Sequence, residues 1–181
     1  IHSTLLGPAA GGTRLKAYDD PTAALHDALE LAEAMTYKYA AANFPRGGAK
    51  AVIAISPAFN QANRAAFLRR YGTLIRRLGG LFRTGPDVGT SADDMDVIAE
   101  TGAPYIHALT PKAGGKGSSS PPTALGVFYA METTAKFLFG DLSLRGRRVL
   151  VQGAGGVGGN LIGRLIAARA RVGRNRVEAH G

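Results

Sequence analysis

Lys38, Lys50 and Lys116 stand beside glycine-rich or apolar segments, where an amine could do chemistry. Lys116 lies in Gly114-Gly115-Lys116-Gly117-Ser118, which lacks the GxxxxGK[ST] spacing of a phosphate loop and is expected to be a solvated loop. Lys38 falls at the edge of the polar arc of an expected helix from Pro21 to about Asn43. Lys50 falls where the turn-rich Phe44-Pro45-Arg46-Gly47-Gly48 enters the β-branched run Ala51-Val52-Ile53-Ala54-Ile55. Surroundings that exclude water would let such a lysine handle a proton; the competing reading is an amine that snorkels to the surface on an apolar stem. The other chemical signal is an apolar strand, Arg148-Val149-Leu150-Val151-Gln152, followed by Gly153-Ala154-Gly155-Gly156-Val157-Gly158 and a helix from Asn160 to Ala168. Strand, glycines and helix together fit a dinucleotide fingerprint. Gly153 would make the tight turn, Gly155 would admit a pyrophosphate to the backbone, and Gly158 would let helix pack on strand. The helix N-terminus would offer free N–H groups to an anion, and Gly156 and Val157 of the glycine turn count among the cofactor-binding residues. The alternative is a plain strand-turn-helix.

Such a fingerprint is normally followed, about 20 residues on, by a second strand ending in Asp or Glu, which holds the adenosine ribose. After Ala170-Arg171-Val172 the chain reads Gly173-Arg174-Asn175-Arg176-Val177, where no apolar strand is expected. Glu178 is the acid nearby, and Arg174 or Arg176 could pair with a 2′-phosphate, although without a strand nothing would position them.

The elements that must carry these groups follow from periodicity. In the first helix Leu25, Ala28, Leu29, Ala32, Met35 and Tyr39 share a face expected to be buried, with His26, Asp27, Glu30 and Glu33 opposite. A second helix carries Phe67, Leu68, Tyr71, Leu74, Ile75 and Leu78 on one side and Arg69, Arg70, Arg76 and Arg77 opposite or beside it. Leu81-Phe82-Arg83-Thr84 reads as a strand leading to Gly85-Pro86-Asp87-Val88-Gly89-Thr90. Ser91 then starts a helix with Asp93, Asp94 and Asp96 in its first turn. A loop over 113–120 precedes a helix capped by Ser120, with Pro121 in its first turn and its end at Gly140.

Composition bounds the rest. With 181 residues, 45% apolar and 19% charged types, the chain can bury a core, and its 25 glycines point to tight turns and an α/β fold. Cysteine is absent and the 4 histidines show no ligand spacing, so neither a disulfide framework nor a metal site is expected. The net charge of +9 raises the question of nucleic acid, but the arginines lack aromatic interleaving or a recognition pattern, so a solvated helix face is expected instead. No apolar run spans a membrane and no signal peptide opens the chain, which points to a soluble, cytoplasmic protein without a membrane partner.

In order along the chain come Leu6-Gly7-Pro8-Ala9-Ala10-Gly11-Gly12-Thr13-Arg14, Met35-Thr36-Tyr37-Lys38, Gly47-Gly48-Ala49-Lys50 and Asp87-Val88-Gly89-Thr90 with Asp93-Asp94-Met95-Asp96, then the Gly153 fingerprint. This series resembles the glutamate/leucine/phenylalanine/valine dehydrogenases, nearest the phenylalanine and leucine branch. The resemblance covers residues 1 to 172. It implies a substrate domain over 1–118, a connecting loop and helix over 119–142, and an incomplete Rossmann-type dinucleotide-binding domain over 143–181. The implied activity is oxidative deamination of an apolar L-amino acid to a 2-oxo acid and ammonia, with NAD rather than NADP as hydride acceptor. By the same resemblance Lys38, helped by the Gly11-Gly12 backbone, binds the substrate carboxylate, and Lys50 is the general base that activates water. Asp87 handles the amino group and its protons, and Thr123 lies near the nicotinamide amide.

Chemically the set is coherent if burial and a neighbouring positive charge make Lys50 less basic, and if a carboxylate balances the iminium charge. Small residues at Ala10 and Gly85 leave room for an aromatic ring. The resemblance also implies a parent of about twice this length, a homo-oligomer, of which this chain is a fragment or damaged copy truncated at both ends and inactive alone. The alternative is an inactive relative that serves only as a folding or oligomerisation module.

Overall fold

The computed structural model describes residues 1–175, with side chains through Gly173. The chain divides into two compact units, Ile1–Ser118 and Ser119–Gly181. Arg176 and Glu178 lie outside the described residues, as does the side chain of Arg174.

The first unit is a parallel α/β layer built around one long strand, β1 (Ala9–Ala17). After α1 (Pro21–Ala41), the chain returns as β2 (Gly47–Gly48) and β3 (Ala51–Ile55), which pair in turn with the first and last parts of β1. α2 (Arg64–Arg77) then leads to β4 (Phe82–Pro86), which pairs with the other side of β1, Ala9 opposite Phe82 and Gly12 opposite Gly85. α3 (Ala92–Gly102) follows. Ala9 and Leu15 of β1 and Phe82 of β4 join Leu68, Ile75, Met95 and Ile98 of α2 and α3 in one core. Thr13 and Thr84, fully buried in that face, satisfy each other through hydroxyls 2.7 Å apart, and Tyr71 joins them at 2.7 Å from Thr13.

Several expectations are corrected here. The expected buried face of α1 holds in part: Ala32 is buried and Ala28, Met35 and Tyr39 are half-buried, but Leu25 and Leu29 are each 59% exposed, and Ala24, outside that face, is buried. A small-residue stripe lets this helix approach the sheet closely, and a Cβ on Gly48 would lie 2.2 Å from Thr36 N. The strand expected from Leu81 begins at Phe82 and runs on through Gly85 and Pro86, because β1 supplies a ladder for the whole segment. Asp94 closes a capping box with Ser91, but Asp96 lies beyond the first turn and accepts instead from the N–H of Thr110 at 2.9 Å and its hydroxyl at 2.6 Å. Arg69, Arg70, Arg76 and Arg77 are exposed, as a solvated face requires; Arg69 also pairs with Glu100 at 2.6 Å, and Arg64, the first residue of α2, pairs with Asp94 at 2.8 Å.

The second unit contains α4 (Ser120–Phe139), β5 (Arg148–Gln152), α5 (Gly156–Ala167) and β6 (Arg171–Asn175). Ser119, not Ser120, occupies the N-cap position of α4. The missing second strand is contradicted: β6 pairs parallel with β5 from Arg148 opposite Arg171 to Gln152 opposite Asn175. Only Val172 in β6 is a strongly apolar residue, so an apolar-run criterion passes over it, yet a ladder needs only backbone N–H and C=O groups. Val151, Leu161 and Leu165 form the core between β5 and α5, together with Ala124 and Ala135 of α4 and with Leu144. Among the described residues no helix is long and apolar enough to cross a membrane, and no group of three or more His, Asp or Glu is placed to hold a metal ion.

Candidate active site

β2 and β4 both stop partway along β1, one on each side of it, and the residues just past their ends converge there. Lys50 lies two positions beyond β2 and Asp87 one beyond β4. Lys50 Nζ sits 2.8 Å from Asp87 Oδ1, with side chains only 6% and 22% exposed. This is the crevice outside the carboxyl ends of parallel strands, where open α/β sheets place their ligands. The pair crosses β1 at Gly12, where a Cβ would lie 2.8 Å from Asp87 Cβ and 3.1 Å from Lys50 Nζ. A side chain on the strand would separate the two groups.

The second oxygen of Asp87 accepts the Nε–H of Arg14 at 2.7 Å. Arg14 in turn directs Nη1 to both oxygens of Asp27 on α1, each at 2.8 Å, and the Tyr18 hydroxyl donates to the same carboxylate. The backbone beyond β4 is tied down as well: Asp87 N donates to Thr90 Oγ1 at 2.9 Å, and that hydroxyl donates to Thr13 O at 2.8 Å. Gly89, at φ +77°, brings the turn so close that a Cβ would sit 1.7 Å from Leu15 O.

Burial alone would raise the Asp87 carboxyl, but the hydrogen bonds from Lys50 and Arg14 outweigh it and hold it below the ordinary aspartate value. Asp27 is likewise depressed, first by the Tyr18 hydroxyl and then, against burial, by Arg14. Burial and that hydrogen bond push Tyr18 up to about 12. For a carboxyl depressed in the folded state, the stabilisation is present above its unfolded pKa of about 4 and is lost as pH falls through the lower folded value. The melting temperature is therefore expected to drop between roughly pH 5 and pH 2. Asp87→Asn should flatten part of that acid limb in melts followed by circular dichroism, and curves that run parallel would contradict the linkage.

The charge touching Lys50 is thus a carboxylate, where a neighbouring cation was expected; the cation, Arg14, approaches the far oxygen of the same group. Lys38 is exposed in the last turn of α1 and its side chain makes no ion pair or hydrogen bond among the described residues. Gly11 is buried, and a Cβ there would lie 1.6 Å from Ala49 O. Ala10 is 4% exposed and so lies packed in this unit, whereas a Cβ on Gly85 would meet His107 Cβ at an ordinary 3.7 Å. Arg14 is the site residue that sequence reasoning overlooked. Its signal was strand periodicity, which puts it two residues past Gly12 on the same face of β1.

In the second unit, Gly153 turns at φ +85° between β5 and α5. Gly155 occupies the N-cap position without a side-chain cap, and a Cβ on it would meet nothing within 4 Å. A Cβ on Gly158 would lie 2.0 Å from Gly153 O. Gly156 and Val157 open the helix, and Thr123 is exposed in the first turn of α4.

Residues 1–103 match the family model described as Glu/Leu/Phe/Val dehydrogenase, dimerisation domain, and the chain belongs to that family. It is 44% identical over 172 residues to a leucine dehydrogenase of Bacillus cereus, covering 95% of this chain and 46% of that protein. To a phenylalanine dehydrogenase of Lysinibacillus sphaericus it is 44% identical over 170 residues, covering 94% of this chain and 44% of the relative. A crystal structure of hetero-hexameric glutamate dehydrogenase from Thermus thermophilus is similar at a TM-score of 0.85 and 29% identity, covering 97% of this chain and 44% of that one. The chain therefore spans less than half the length of these relatives.

Proposed function

We propose that this chain is the substrate-binding portion, with the opening of the cofactor-binding portion, of an enzyme that oxidatively deaminates an apolar L-amino acid to a 2-oxo acid and ammonia. The observation that carries the reading is the water-poor Lys50–Asp87 pair laid across Gly12 at the ends of β2 and β4. Lys38 and the Gly11-Gly12 backbone bind the substrate carboxylate. Two-electron oxidation at Cα leaves an iminium, whose positive charge Asp87 balances. Once Lys50 has passed its ammonium proton to Asp87, it accepts a proton from the water that adds to that carbon, and collapse of the adduct releases ammonia. Asp87, in hydrogen-bond contact with Lys50, exchanges protons with it and with the departing nitrogen.

Bound NAD supplies the hydride acceptor. The turn at Gly153, the open space at Gly155 and the uncapped start of α5 fit a pyrophosphate, with Gly156 and Val157 offering N–H groups and Thr123 near the nicotinamide amide. The alternative, an inactive relative that serves only as a folding or oligomerisation module, loses the support a missing second strand would give it, since β6 pairs with β5. A homo-oligomer is supported by the matched model's description as a dimerisation domain and by the exposed Leu25 and Leu29 of α1.

The reading is tested by NADH formation with L-phenylalanine, L-leucine and L-valine in the complete enzyme that contains this chain. Failure with all of them would exclude it. Gly85 faces the same side of the sheet as Gly12 and has room for a methyl group. Gly85→Ala should shift the kcat/KM ratio from phenylalanine towards the branched substrates by roughly 10-fold, the usual worth of one methylene-scale change. An unchanged ratio would remove Gly85 from substrate selection. Ala10, being packed, is the poorer position for such a test.

A further inference from the structure

Lys50 accounts for only one oxygen of Asp87. The other is taken by Arg14 Nε at 2.7 Å, in a side chain 18% exposed, and Arg14 is itself gripped by both oxygens of Asp27 at 2.8 Å. A carboxylate has two equivalent oxygens and a broad terminal torsion, and a lysine is a point charge on a flexible stem. Lys50 alone would not decide which oxygen it meets. A guanidinium presents donors in a fixed plane, and here that plane is held from the opposite side by α1.

We propose that Arg14 is a positioning residue for Asp87: oriented by Asp27, it clamps Oδ2 and leaves Oδ1 as the oxygen that meets Lys50. The proposal rests on the reading of Lys50 and Asp87 as the reacting pair. Arginine keeps its charge throughout the working pH range, so it cannot take part in the exchange, and proton movement at Asp87 is confined to Oδ1. Transfer from Lys50 Nζ to Oδ1 would turn an ammonium and a carboxylate into an amine and a carboxylic acid. Arg14 opposes that transfer, because it would then face a neutral acid. The shared proton therefore stays on nitrogen until the charge of the bound substrate alters the balance.

A residue that only staples α1 to the sheet would change the melting temperature and nothing else. The distinguishing readout is the titration of the Asp87 carboxyl, followed by carbon-13 NMR in the 181-residue chain and in Arg14→Gln, Arg14→Lys and Asp27→Asn. Arg14→Gln is expected to raise the Asp87 midpoint by about one pH unit or more, as for loss of a cation in direct contact. Arg14→Lys should recover most of that shift. Asp27→Asn, which keeps the Arg14 charge but frees its plane, should raise the midpoint by less. An unchanged midpoint in Arg14→Gln, or in Asp27→Asn if the glutamine variant does not fold, overturns the proposal. Retained turnover in a Lys50→Ala enzyme would instead remove the catalytic reading and leave these midpoints where they are.

Discussion

Lys50→Ala in the complete enzyme is expected to lower kcat by roughly 10²- to 10⁴-fold, the usual worth of a positioned general base. The variant should fold. Removing the lysine leaves Asp87 paired with Arg14, so no buried carboxylate is stranded without a cation, and the Asp87 backbone stays tied to Thr90. Lys38→Ala is the contrasting case, because Lys38 is exposed, has no pairing partner among the described residues, and its proposed task is binding: KM for the amino acid should rise with kcat affected far less. Steady-state kinetics on folded variants checks both. Near-unchanged kcat in Lys50→Ala would take Lys50 out of the chemistry, and loss confined to kcat in Lys38→Ala would take Lys38 out of carboxylate binding.

Gly11→Ala should abolish the native first unit altogether. A Cβ at that position would lie 1.6 Å from Ala49 O and 2.7 Å from Ala49 C. Those are backbone atoms of a segment held to β1 by the Ala49 N to Ala10 O bond at 3.1 Å, so no side-chain rotation relieves the clash. Overpacking that forces a backbone shift costs about 3 kcal/mol or more, a large part of the stability of a domain this size. Gly12→Ala differs in kind. Its Cβ would press chiefly on the side chains of Asp87 and Lys50 and lie 3.0 Å from the Pro86 carbonyl oxygen, a far milder backbone contact than at Gly11, so the fold should survive with some loss of stability while the ion pair opens. Urea denaturation followed by circular dichroism separates the two cases. A Gly11→Ala chain with a wild-type midpoint would show that β1 and the Ala49 segment can part without loss.

Much of the local structure was legible because it depends on neighbours in sequence. The β-branched run Ala51–Ile55 is β3, Pro21 begins α1, and Ser91 with Asp94 caps α3 through reciprocal hydrogen bonds over three residues. What failed depended on where other elements lie. In α1, periodicity groups Ala28, Ala32, Met35 and Tyr39, which do turn inward, but it cannot say where the buried arc ends, and Leu25 and Leu29 lie outside it. Gly48 is so close to Ala32 and Thr36 that the helix meets the sheet through small residues there. β6 was passed over because its side chains are polar, while its pairing is written in backbone groups that every residue but proline carries.

The sequence by itself determined the α/β character, the order of motifs that marks the dehydrogenase family, and the lysines and aspartate able to handle protons. The family model matches residues 1–103, which contain every one of those motifs except the Gly153 fingerprint. Only the tertiary structure decided how those groups meet. Lys50 and Asp87 are 37 positions apart and come within 2.8 Å because β2 and β4 end on opposite sides of one strand that carries a glycine between them. Arg14 and Asp27 enter the same cluster from β1 and α1, and Lys38, equally prominent in the sequence, does not pair with it. Residue type sets what a side chain can do. Its charge partner is set by strand register and helix approach, which depend on packing between segments far apart along the chain.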